Sequence, residues 1–183
     1  PDFAIAHNTL ANLLVEQRQF AEAEQEFRKA LELDPNSAVA HYNFANLLVA
    51  LERLPEAERH LREALRIAPT MAAGHRNLGN LLGMRGDAVG AERLFRRAIE
   101  IDPNDPESHY NLGNALAAQQ RIPEASQSYR RAVELRPRYD QARVNLAITL
   151  YTLGDEPTAR EEAAKISDPV LRGRAQQAMV SEQ

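Results

Sequence analysis

The chain has 183 residues, 44% apolar and 26% charged, a balance that suits one globular domain. It contains no cysteine, which excludes disulfides, thiol catalysis and Cys-ligated zinc or iron–sulfur centres. The formal net charge of −4 argues against a nucleic-acid partner, and no apolar run approaches the roughly 18 residues that a membrane span needs.

Self-similarity governs everything else. Pro35, Pro69, Pro103 and Pro137 stand 34 residues apart, as do Ala23, Ala57, Ala91, Ala125 and Ala159, and Leu14, Leu48, Leu82, Leu116 and Leu150. Leu10, Phe44, Leu78, Leu112 and Leu146 keep the same step. A period of this length, repeated five times, predicts a stack of small supersecondary units.

In chain order, residues 1–3 are expected to be the remnant of a preceding unit, because Pro1 stands one period before Pro35. Four units follow, at residues 4–37, 38–71, 72–105 and 106–139. Each carries two apolar stripes with helical steps of three and four. In the third unit these are Leu78, Leu81 and Leu82, then Ala91, Leu94, Phe95, Ala98 and Ile99. Between stripes, Gly86 and Gly154 suit the left-handed end of a helix, and Asp87 and Asp155 suit the cap of the next. Proline then closes the unit. A fifth unit, residues 140–167, has a divergent second helix, and residues 168–183 hold a capping helix. There Ser167 or Asp168 is the N-cap and Pro169 the first helical residue, and Leu171, Ala175, Ala178 and Met179 form one apolar stripe over 169–181.

The spacing of small and large residues resembles the tetratricopeptide repeat. The eighth position of each unit is Ala11, Ala45, Gly79, Gly113 or Ala147, and the twentieth is always Ala. The twenty-fourth is Phe27, Leu61, Phe95 or Tyr129, and the twenty-seventh Ala30, Ala64, Ala98 or Ala132; the fifth unit breaks the pattern with Ala163 and Ile166. The resemblance implies an all-α, right-handed superhelical solenoid of helix-turn-helix hairpins with a C-terminal capping helix. It also implies that first helices line a concave surface, and that the chain is a non-catalytic protein–protein interaction module binding an extended peptide or partner segment there.

On that face stand Asn43, Asn77, Asn111 and Asn145 at the sixth position, and Asn12, Asn46, Asn80 and Asn114 at the ninth. The two positions are three residues apart and share a helix face. An Asn amide both donates and accepts. Such a ladder either holds a peptide backbone whatever its side chains or ties neighbouring repeats together. Tyr42, Arg76, Tyr110 and Met84 occupy further groove positions as candidate anchors, since Tyr and Arg are frequent interface hot spots. The segments His75–Asn80 and His109–Asn114 make the ladder similar to the superhelical arm of O-linked N-acetylglucosamine transferase. The cationic clamp by which related co-chaperones grip a terminal carboxylate is absent apart from Arg76.

His7, His41, His75 and His109 recur at the fourth position. Stacked helices about 10 Å apart cannot bring four such rings onto one ion, so they are expected to be packing groups and no metal is expected. His60 is expected at the surface. Residues 4–37 carry six acids and three bases, while residues 106–139 carry three and five, with Arg130, Arg131, Arg136 and Arg138 close together. Self-assembly through convex faces or exposed ends is therefore an alternative function, with a homo-oligomer as its product. A second is a substrate-presenting arm of a larger enzyme such as a glycosyltransferase. No nucleophile elbow, metalloprotease helix or phosphate loop occurs, so neither catalysis nor a cofactor is expected. The expected partner is a protein or extended peptide, with neither nucleic acid nor membrane, and the expected compartment the cytoplasm, with the periplasm as alternative.

Overall fold

A computed structural model describes residues 2–181. Among the described residues there are eleven helices and no strand. They fall into two compact units, Pro1–Leu81 and Leu82–Gln183, with the division inside α5.

The first unit contains α1 (Asp2–Glu16), α2 (Phe20–Leu33), α3 (Ala38–Ala50), α4 (Leu54–Ile67) and most of α5 (Ala72–Met84). The second contains the rest of α5, then α6 (Ala88–Ile101), α7 (Pro106–Ala118), α8 (Ile122–Leu135), α9 (Asp140–Thr152), α10 (Glu156–Ala164) and α11 (Pro169–Ser181). Helices pair as α1 with α2, α3 with α4, α7 with α8 and α9 with α10, and α11 covers α9 and α10.

Local chemistry sets the boundaries. Ser37, Asp87, Asp105 and Asp155 each accept a backbone N–H from the first turn of the helix they precede. Gly86 and Gly154 end their helices at φ 83° and 84°. Arg18, Glu52 and Gln120 hold the same place in the other hairpins at φ 61°, 59° and 60°. A non-glycine residue there costs about 1 kcal/mol, so the hairpin imposes this turn even where the residue resists it.

The core follows from the small–large alternation. Ala23, Ala57, Ala91, Ala125 and Ala159 are fully buried, and Phe27, Leu61, Phe95 and Tyr129 fill the space beside them. Phe27 stacks on Phe44 with ring centroids 5.6 Å apart. A Cβ on Gly113 would stand 2.5 Å from the Tyr129 ring, so glycine is required where that ring approaches α7. In α10 the divergent Ala163 is itself buried, and Ile166, Ala175 and Met179 complete the core beneath α11.

Candidate peptide-binding face and its supports

From the second unit to the fifth, the fourth-position side chain ties its unit to the proline that ends the one before. The Nε2–H groups of His41, His75 and His109 donate to the carbonyls of Pro35, Pro69 and Pro103, at 3.1, 2.9 and 3.0 Å. Arg143 takes over in the fifth unit and donates to Pro137 O at 2.7 Å. These rings are therefore not merely packed, as expected from sequence, but act as hydrogen-bond staples. In a neutral imidazole whose Nε2 donates, Nδ1 is an acceptor.

In three units the fourth-position side chain also meets the residue nineteen places on, on the second helix. His7 meets Glu26, His41 meets His60, and Arg143 meets Glu162. The surface expectation for His60 is wrong. It is half-buried, its Nδ1–H donates to His41 Nδ1 at 2.8 Å, and its ring lies 4.7 Å from Phe44. Burial, together with the charges of Arg59 and Arg28, pushes its pKa down to about 4.

Ion pairs brace successive hairpins. Arg53 reaches back to Glu24 and along α4 to Glu56, at 2.7 and 2.8 Å. Arg121 repeats this with Glu92 and Glu124, at 2.8 and 2.6 Å. Burial opposes ionisation of Glu24 and Glu92, but the hydrogen bonds from Arg28 and Arg53, and from Gln119 and Arg121, hold both carboxyls below the usual range.

The asparagines lie on the first helices, all part-buried except the exposed Asn80. In the first unit, Asn77 Nδ2 donates to Asn46 Oδ1 at 2.7 Å and to the Tyr42 hydroxyl at 3.3 Å, and Asn43 Nδ2 donates to Asn8 Oδ1 at 3.2 Å. In the second unit, Asn145 Nδ2 donates to Asn114 Oδ1 at 3.1 Å, and the Tyr129 hydroxyl donates to the same oxygen at 2.9 Å. Burial raises the pKa of Tyr129, keeping that hydroxyl a donor. Asn8 is a member of this network that the sixth- and ninth-position pattern did not contain; its place one residue before the sixth was the available signal.

The network thus links the sixth position of one repeat to the ninth of the repeat before, as in Asn77–Asn46 and Asn145–Asn114, or to its fifth, as in Asn43–Asn8 and Asn77–Tyr42. Each primary amide has two N–H groups and an oxygen with two lone pairs. Asn77 donates N–H to its neighbours and Asn46 accepts on one lone pair, so Asn46 Nδ2 and Asn77 Oδ1 take no part in these two bonds. Asn12 is part-buried on α1. Tyr42, Arg76 and Tyr110 are part-buried beside the asparagines, and Tyr110 packs 5.9 Å from Tyr129 and 5.1 Å from Tyr139. Met84 is 66% exposed at the end of α5.

This arrangement of hairpins agrees with sequence comparison. Tetratricopeptide-repeat models match residues 14–81 and 72–97, and a TPR-repeat model matches 90–120 and 113–154. The chain belongs to the tetratricopeptide-repeat (TPR) family. Its repeats make it a protein-interaction module. No curated protein matches the sequence. Among solved structures it is similar to YrrB, described as a TPR protein with an unusual peptide-binding site. That match has 28% identity, covers 95% of this chain and 92% of YrrB, and has a TM-score of 0.78. PilF of Pseudomonas aeruginosa matches at 21% identity over 91% of this chain and 76% of its own, with a TM-score of 0.83. MamA from Desulfovibrio magneticus RS-1 matches at 16% identity over 100% and 98%, with a TM-score of 0.80. The last two likenesses are of fold. Among the described residues no helix is long and apolar enough to cross a membrane, and no cluster of three or more His, Asp or Glu side chains could hold a metal ion.

Proposed function

We propose that the asparagine-bearing faces of the first helices hold an extended peptide, non-catalytically, through its backbone. The observation that carries this reading is the unspent capacity of the bridged amides. The Asn77–Asn46 bond orients both side chains, and their remaining donor and acceptor atoms match a peptide C=O and N–H. Pre-orientation matters because it lowers the entropy lost on binding. Tyr42 and Tyr110 stand beside the ladder as apolar anchors with a polar tip. The likeness to YrrB over nearly the whole chain supports the reading. Asn12, Asn43, Asn80, Asn111, Asn114, Asn145, Arg76 and Met84 complete the proposed set.

The test is to titrate a pool of unstructured peptides into the isotope-labelled chain and follow the Asn side-chain amide signals by NMR. The reading expects the Asn46 and Asn77 signals to shift ahead of amides on the second helices. Shifts confined to second helices, or none at any concentration, would overturn it.

A further inference from the structure

The second compact unit carries an aromatic pair that the earlier repeats lack. Tyr110 holds the fifth position of its repeat and Tyr139 the last, and their ring centroids lie 5.1 Å apart with the planes inclined at 45°. In the three repeats before, these two places are held by Asn8 with Ser37, Tyr42 with Met71 and Arg76 with Asp105. Both rings are part-buried and held in place. Tyr110 also packs 5.9 Å from Tyr129, and the Arg136 guanidinium lies 4.9 Å from the Tyr139 centroid while pairing with Glu107 at 3.2 Å. Neither the Tyr110 nor the Tyr139 hydroxyl bonds to a described residue, and neither is shut off from water. The Tyr42 hydroxyl, by contrast, accepts from Asn77.

One helical turn on from Tyr110, Asn114 is left as a donor only. Its Oδ1 accepts from the Tyr129 hydroxyl at 2.9 Å and from Asn145 Nδ2 at 3.1 Å, which uses both lone pairs. Its Nδ2 makes no bond to a described residue and is open to water. The amide N–H groups of Asn114 and the two phenol O–H groups therefore face a ligand as donors, and the amide acceptor left beside them is Asn145 Oδ1. Asn46 and Asn77 differ, because between them they keep a donor and an acceptor. A surplus of donors beside aromatic rings suits a chain that has carbonyls but lacks N–H groups. Proline supplies that chain: it has no backbone N–H, and in polyproline II its carbonyls are unbonded within the chain and point to solvent. Aromatic-lined grooves take such segments at low entropy cost because the helix is preformed. We propose that Tyr110, Tyr139 and Asn114 bind a proline-rich segment in polyproline II conformation. The rings pack on pyrrolidine rings, and the Asn114 amide and the tyrosine hydroxyls donate to its carbonyls. This rests on the reading of the asparagine face as a peptide site and gives that site its ligand class.

The test uses two end-capped peptides of equal length, one all proline and about 28 Å long in polyproline II, the other alternating glycine and serine. Each is titrated to about 1 mM into the isotope-labelled chain, with Asn side-chain amide and Tyr ring signals followed by NMR. The proline peptide is expected to shift Asn114 and Tyr110 and to bind at least about tenfold tighter than the glycine–serine peptide. Tyr110→Ala should bring the two affinities to within about threefold. Tyr110→Phe keeps the ring and should weaken the proline peptide about three- to tenfold through the lost hydroxyl. Equal affinity of the wild type for both peptides, with Asn signals shifting, overturns the proline ligand and leaves the asparagine face as a peptide site. No shift of any Asn amide with either peptide overturns both readings. Proline-peptide shifts that avoid Tyr110 and Asn114, a full preference kept by Tyr110→Ala, or an unchanged affinity in Tyr110→Phe overturns the proposal as well. Should Tyr110→Ala fail to fold, the Phe variant and the map of shifts decide.

Discussion

Between about pH 7 and pH 5 the wild-type chain is expected to lose about 2 kcal/mol of stability through His60 alone, and His60→Leu should remove that loss. In the folded chain the imidazole is held down at about 4, first by burial and then by the charges of Arg59 and Arg28. Its ordinary value is 6.5. Unfolding therefore takes up a proton anywhere between these values, and stability falls by about 1.4 kcal/mol for each pH unit descended. The contribution is intact above 6.5, is lost as the pH falls toward 4, and is level below that. At about pH 5 the loss comes to about 2 kcal/mol. Leucine is the informative replacement because Leu94 holds the same register one repeat on. His75, the counterpart of His41, already has its Nδ1 buried without a hydrogen-bond partner. Glu24, Glu63 and Glu92, whose carboxyls lie below the usual range, weaken the fold only at lower pH, so the window isolates the histidine. Urea melts followed by circular dichroism, in steps of about half a pH unit, should show the wild type falling faster than the variant. Parallel loss in the two proteins would refute the assignment of a buried, neutral His60.

Three further changes test the packing and the turns. Gly113→Ala places a Cβ 2.5 Å from the Tyr129 ring and should cost about 1–3 kcal/mol in urea melts; adding Tyr129→Leu, the residue found at position 61, should recover part of it. Gln120→Gly relieves a non-glycine φ of 60° and should raise stability by about 0.5–1 kcal/mol, provided the added freedom of the unfolded chain does not offset it. Leu61→Ala empties a fully buried site and should cost about 2–5 kcal/mol, measured in the same way.

Much of the fold was legible because the determinants are local and repeated. The apolar steps within each unit, Asp87 and Asp155 as caps, Gly86 and Gly154 as left-handed turns, and the helix at 169–181 are all set by residues within a few positions. Arg18, Glu52 and Gln120 were not legible as turn residues, because tertiary packing overrides their own preference. His60 was misplaced because a lone polar residue on a second helix gives no local sign of its partner. Its burial depends on His41 and Phe44, which come near only when α3 and α4 pair. The asparagine ladder was visible as a pattern, but its internal bonds were not. Whether Asn77 reaches Asn46 depends on the axial offset of two helices, which spacing in sequence does not encode.

The most direct test of the peptide-binding account is fluorescence anisotropy with a labelled pool of unstructured peptides. It compares the wild type with Asn77→Ala and with the second-helix control Arg59→Ala, whose side chain is 77% exposed. The account predicts that the wild type and Arg59→Ala select the same peptides, and that Asn77→Ala loses them by at least about tenfold, a difference of about 1.4 kcal/mol, while remaining helical. Equal binding by all three proteins would contradict it, and would leave the Asn77–Asn46 bond as a tie between repeats alone.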